Sequence, residues 1–137
     1  MRKRLSLLWA LAVLAAAMAL PASTVAADGN TYKVLYNYCA GANPMFKVKN
    51  IARGWSAANK LTNESWVEKK PPGGTWATVY TWDVSQYKFE TNGDKHWLTS
   101  WRTWEGNRYN WFRIVFRLRA WNGNNMLSSV TIYSRKC

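Results

Sequence analysis

The stretch Trp111-Phe112-Arg113-Ile114-Val115-Phe116-Arg117-Leu118-Arg119 decides how this chain folds. Phe112, Ile114, Phe116 and Leu118 recur at every second position, and Trp111, Arg113, Val115, Arg117 and Arg119 fill the positions between them. A period of two places the first set on one side of a strand and the second on the other. The first side is wholly apolar and belongs in a core. The second carries arginine and tryptophan and looks outward. The alternation predicts a central strand from Tyr109 to Arg119.

The same period recurs to either side. Tyr32, Val34, Tyr36 and Tyr38 alternate with Thr31, Lys33, Leu35 and Asn37, which predicts a first strand over 31–39. Phe46 and Val48 alternate with Lys47 and Lys49, giving a second strand with a basic outer side. Residues 53–63 lack clean alternation and read as a loop with room for one helical turn. Ser65 to Lys69 reads as a short strand before the break at Pro71-Pro72-Gly73-Gly74. Thr75 to Trp82 is rich in β-branched and aromatic residues, with Trp76, Thr78, Tyr80 and Trp82 expected on one face. Gln86 to Glu90 and His96 to Trp104 flank Asn92-Gly93, a strong hairpin signal. Glu105-Gly106-Asn107 and Asn122-Gly123-Asn124-Asn125 turn the chain again, and Ser129 to Arg135 closes it. Short strands punctuated in this way predict an all-β fold, a small antiparallel β-sandwich of about seven or eight strands.

Two cysteines, Cys39 and Cys137, are present. An even count in an exported chain argues for one disulfide, and it would tie the first strand to the end of the last. Two reactive thiols or a link between chains are the rival readings. Export itself is read from the N-terminus. Arg2, Lys3 and Arg4 precede an uncharged run from Leu5 to Leu20, then Pro21 and small residues. That is the pattern of a cleaved signal peptide, with Val25 and Ala27 before a cut at Asp28. An uncleaved anchor needs about 20 apolar residues, and Pro21 argues against it. The expected organisation is a signal peptide over 1–27 and a single secreted domain over 28–137, with no transmembrane segment in the mature form. The alanine-rich apolar run is compatible with a bacterial host.

Removing residues 1–27 leaves 110 residues and lowers the net charge from +12 to +9. Such a charge attracts teichoic acids, acidic polysaccharides, lipid headgroups or acidic proteins. Nucleic acid is not the expected partner of an exported protein. The mature part has one histidine, His96. With both cysteines oxidised, neither thiol chemistry nor a zinc site is expected, and the few clustered oxygens leave room only for a weak calcium site. No cofactor is expected. A small ribonuclease built on Glu90, His96 and Arg102 is the minority enzymatic reading, and Asn63-Glu64-Ser65 is formally a glycosylation sequon.

What remains is aromatic and basic. Nine of the ten tryptophans lie beyond residue 27, more than a core of this size can hold. Tryptophan beside arginine is the composition of interaction hot spots, and it equally suits stacking on sugars. The expected binding residues are Trp101, Arg102, Trp104, Trp111, Arg113, Arg117 and Arg119, with Trp97, Trp101 and Thr103 sharing one side of their strand and Arg102 and Trp104 the other. Arginine stacked on tryptophan for solubility alone is the bland alternative. The function expected is a secreted non-enzymatic protein that engages an extracellular protein, as an inhibitor or as an accessory subunit of an assembly such as an antibacterial toxin complex. The alternative is binding of an anionic cell-surface glycan or a cationic antimicrobial action.

Overall fold

The computed structural model describes residues 30–53, 58–88 and 95–137. The expected signal peptide, the Asn92-Gly93 turn, Glu90 and Trp55 lie outside the described residues. Among the described residues there are seven strands: β1 (Asn30–Ala40), β2 (Asn43–Arg53), β3 (Lys60–Lys70), β4 (Ala77–Lys88), β5 (Lys95–Thr103), β6 (Trp111–Asn122) and β7 (Asn125–Tyr133). They form two antiparallel sheets, β1-β2-β5 and β4-β3-β6-β7. The fold is the all-β sandwich that the alternation predicts.

The sheets meet where the period-two pattern requires. Phe112, Ile114, Phe116, Leu118 and Ala120 of β6 are all buried, and Phe116 meets Phe46 of β2 edge to face at 5.3 Å. Phe46, Val48, Ile114, Phe116, Leu118 and Ile132 make the main core, with Trp82 and Val130 packed against it. A smaller cluster of Ala52, Ala58, Leu61 and Ala120 fills one end. Burying a side chain of the Leu or Phe class is worth about 1.5–3 kcal/mol, so these rows supply the main drive for stacking the sheets.

Part of the interface is polar. Asn63 and Ser65 of β3 are buried on its inner side. Asn63 Nδ2 donates to Ser100 Oγ of the opposite sheet at 2.5 Å, and Asn50 Nδ2 of β2 donates to Thr62 O across the gap at 3.4 Å. Such bonds satisfy groups that would otherwise be buried at a cost of about 1–3 kcal/mol each. They also restrict how the sheets slide over one another.

Three expectations are corrected. Residues 60–63 belong to β3 rather than to a loop, because Leu61 and Asn63 pack inward while Lys60 and Thr62 lie on the outer side, opposite Trp121 and Arg119 of β6. The segments 75–82 and 86–90 are not two strands, since β4 runs unbroken through Asp83 to Lys88. β4 and β5 are not hairpin partners either, as they lie in different sheets.

Bulges overturn two further face assignments, because one extra residue flips every side chain beyond it. In β1 the register shifts between Val34 and Tyr36. Tyr32 and Val34 therefore share the side of Asn50 and Val48, whereas Tyr36 and Tyr38 share the side of Lys47 and Met45. In β4 the shift beside Val67 and Glu68 puts Thr78 with Glu68 on the outer side and Tyr80 with Val67 on the inner.

The disulfide joins Cys39 to Cys137 as expected. Around it, Arg135 N donates to Asn37 Oδ1 at 2.7 Å, and Cys137 and Phe112 exchange backbone bonds of 2.9 Å in both directions.

Candidate functional site

The seven residues expected to make one binding face occupy three separate places. Trp111, Arg113, Arg117 and Arg119 lie on the outer side of β6, in the four-stranded sheet. Arg102 and Trp104 lie along the open flank between the sheets. Trp101 lies on the outer side of the three-stranded sheet, which faces the opposite way.

The outer side of β6 is engaged within the molecule. Antiparallel register sets Glu68 opposite Arg113 and Glu64 opposite Arg117. Arg113 binds Glu68 at 2.6 Å, and Glu64 takes Arg119 at 2.5 Å and Arg117 at 3.4 Å. Indoles and phenols complete the ladder. The Arg113 guanidinium sits between Trp76 at 4.2 Å and Tyr133 at 4.4 Å, Arg117 lies over Trp66 at 5.1 Å, and Arg119 over Trp121 at 5.7 Å. Trp66 Nε1 also donates to Glu68 at 3.0 Å. Val115 is fully buried beneath these side chains although it is on the outer side. A single exposed ion pair contributes about 0.2–1 kcal/mol, but each arginine here combines a carboxylate with one or two rings. A ligand would have to displace several such contacts together.

Arg102 is placed by β5 on the inner side, opposite Phe46. Its Nε donates to Ser65 Oγ at 2.8 Å, its Nη2 to Ser85 Oγ at 3.2 Å and its Nη1 to the Trp101 carbonyl at 3.1 Å. The Trp82 ring lies 5.3 Å from the guanidinium, and Trp104 packs with Tyr80 and Trp82 beside it. Burial holds the Arg102 guanidinium below the usual arginine value, an effect partly opposed by Tyr80. Its contacts with Ser65, Ser85 and Trp82 run to the other sheet, which makes Arg102 a tie between sheets.

The outer side of the three-stranded sheet differs in kind. Register aligns Tyr36 of β1, Lys47 of β2 and Trp101 of β5 in one row, and Ile51 with Trp97 in another. Tyr36 is 52% exposed, Trp97 51% and Trp101 39%. Tyr36 and Trp101 meet edge to face at 5.4 Å. Lys49 Nζ lies 4.6 Å from the Trp97 ring centre and Lys47 Nζ 6.0 Å from that of Tyr36. Among the described residues no carboxylate pairs with Lys33, Lys47 or Lys49. An exposed lysine-ring contact is worth about 0.5–1 kcal/mol, so an arriving anion can draw these ammonium groups off their rings.

Sequence reasoning named Trp101 and paired it with Trp97, but it left out Tyr36, Lys47 and Lys49 as site residues. Lys47 and Lys49 were legible as the outer side of β2. Tyr36 was not, because the bulge that brings it to this side leaves no local sequence signal.

For the ribonuclease reading, His96 and Arg102 both point inward from β5 but stand six residues apart, roughly 20 Å along a strand. They do not converge on one reacting atom, and Glu90 is outside the described residues. No group of three or more metal-ligating side chains occurs among the described residues.

The chain matches no protein-family model and no curated protein. Among solved structures it is similar to a Bacteroides uniformis β-glucuronidase 2 covalently bound to cyclophellitol-6-carboxylate aziridine and to another crystal structure of a Bacteroides uniformis β-glucuronidase. Each match has 14% identity, a TM-score of 0.36, and covers 77% of this chain. The chain spans 12% of the length of either enzyme chain.

Proposed function

We propose that this chain is a secreted, non-enzymatic binding protein whose three-stranded sheet docks an anionic cell-surface glycan on its outer side. The observation that carries the reading is the exposed set Tyr36, Trp97 and Trp101 beside Lys33, Lys47 and Lys49, with no described carboxylate among them. Aromatic rings offer sugar rings a surface to stack on, and the lysines complement carboxylate or phosphate groups along a polymer. An open sheet face accommodates an extended chain better than a closed cleft would.

A protein partner was the first expectation from composition. The arginines on which it rested, Arg113, Arg117 and Arg119, are held by Glu64, Glu68 and indole rings. The glycan reading is therefore favoured.

The test is retention on insoluble cell walls, intact and stripped of teichoic acid, for the natural chain, Trp101→Ala and the double variant Lys47→Gln/Lys49→Gln. Retention on intact walls that falls with salt, and falls in both variants, is expected. Equal retention of all three proteins sinks the proposal. Recovery of one stoichiometric protein from culture supernatant, resistant to high salt, would replace it with the protein-partner reading.

A further inference from the structure

We infer that a second binding site, a concave pocket for a single anionic sugar ring, lies at one end of the sandwich. It goes beyond the glycan face and shares no residue with it. The pocket has a volume of about 340 Å³ and forms where Gly41 and Ala42, Pro72, residues 107–111 and Cys137 meet. Ligand sites run from about 300 to 1,000 Å³, so this one, at the lower end, is of a size for a single small ring.

Its lining supplies three kinds of recognition. Tyr109 and Trp111 are 67% and 48% exposed and offer ring faces. Asn107 and Asn110 offer amides. Asn107 Oδ1 already accepts Tyr109 N at 3.0 Å, Asn110 N at 3.1 Å and Asn110 Nδ2 at 3.0 Å. That arrangement fixes the turn and spends one amide oxygen, leaving the Asn107 amide donor and the Asn110 carbonyl acceptor. A donor and an acceptor on neighbouring amides match adjacent hydroxyl groups on a sugar.

Charge supplies the third. Arg108 Nη2 donates to Tyr109 Oη at 3.1 Å, and its guanidinium lies 5.2 Å from that ring centre. Lys136 is not part of the lining, but its Nζ lies 5.1 Å from the ring centre of Trp111, which is. Neither cation has a carboxylate side chain as partner among the described residues. Rings, paired amides and the Arg108 guanidinium, which no ion pair engages among the described residues, together suit a hydroxylated ring that carries a carboxylate or a sulfate ester.

The walls are fixed from several directions before any ligand arrives. Cys137 is held by its disulfide and by Phe112, and Gly106 N donates to Asn43 Oδ1 at 2.8 Å. A site ordered in advance loses less freedom on binding.

The experiment is a titration followed by NMR of the side-chain indole and amide resonances, with Trp111 assigned through Trp111→Phe. The probes are galacturonate, N-acetylglucosamine 6-sulfate, their neutral parents galactose and N-acetylglucosamine, and inorganic phosphate. Saturable shifts of Trp111 and Asn107 are expected with at least one acidic sugar, roughly tenfold tighter than with its parent, a factor equivalent to about 1.4 kcal/mol. Which acidic sugar binds identifies the anionic group. Arg108→Gln should erase the preference for acid, and Tyr109→Ala should abolish binding; both residues are exposed, and an unchanged melting temperature checks the fold. Trp101→Ala should bind the sugars normally, which separates this site from the glycan face. Absence of saturable shifts, phosphate binding as tightly as the sugars, or unaltered affinity in Tyr109→Ala would overturn the inference.

Discussion

Arg102 of β5 donates through Nε to Ser65 Oγ of β3 at 2.8 Å, joining the two sheets on the flank opposite the Cys39–Cys137 bond. The sandwich is thus closed covalently beside β1 and β7 and by a forked cation beside β5, β3 and β4. Arginine suits this position because one planar group reaches Ser65, Ser85 and a backbone carbonyl together.

Arg102→Met should lower stability by about 1.5–3 kcal/mol, the range for hydrogen bonds to a charged group. Arg102→Lys should recover little, because a single ammonium does not span Ser65 and Ser85 in the same geometry. Urea unfolding of both variants checks this. A lysine variant as stable as the natural protein would contradict the account.

Removing the disulfide, by reduction or by Cys39→Ser/Cys137→Ser, should lower stability more. The cysteines are 98 residues apart in sequence, and the chain-entropy estimate for a loop of about 100 residues is ~4.7 kcal/mol, within a usual range of about 2–5 kcal/mol. Thermal melts with and without reductant measure the difference. A shift below one degree would mean that restricting the unfolded chain contributes nothing to stability.

Gly106→Ala tests the packing behind the end pocket. A Cβ there would stand 2.1 Å from the Ala42 carbonyl oxygen and 2.9 Å from Phe112 Cδ2. The nearest atom is backbone, so the turn has to move. A loss of about 1–3 kcal/mol, typical of overpacking, is expected in chemical denaturation, with weaker sugar binding at the adjoining pocket.

Substituting Arg113, Arg117 and Arg119 together by Gln should cost stability while leaving wall retention within about twofold, a difference of roughly 0.4 kcal/mol. These residues brace Glu64, Glu68, Trp66 and Trp76. Loss of wall binding in a folded triple variant would return the binding face to β6.

The legible parts of the fold were those written locally. β6, the core rows of β2 and the disulfide followed from alternation and cysteine count. The sheet assignment of β4 and β5 did not, because Asn92-Gly93 speaks only for its immediate neighbours and strand pairing is set by distant residues. The carboxylates that hold Arg113 and Arg117 were likewise hidden: Glu64 and Glu68 lie about 50 residues away and meet them only through register. The end pocket draws on residues near 41, 72, 107–111 and 137, a set without any sequence spacing to betray it.

The bulge in β1 has a protective consequence. β1 is an edge strand of eleven residues with exposed tyrosines, the kind of border that recruits strands from other molecules. By shifting register between Val34 and Tyr36 it breaks the border into two short lengths whose inward and outward alternation is out of phase. An incoming strand that matches one length mismatches the other. The irregularity that hid Tyr36 from sequence reading is also one of the devices by which edge strands avoid pairing with other molecules.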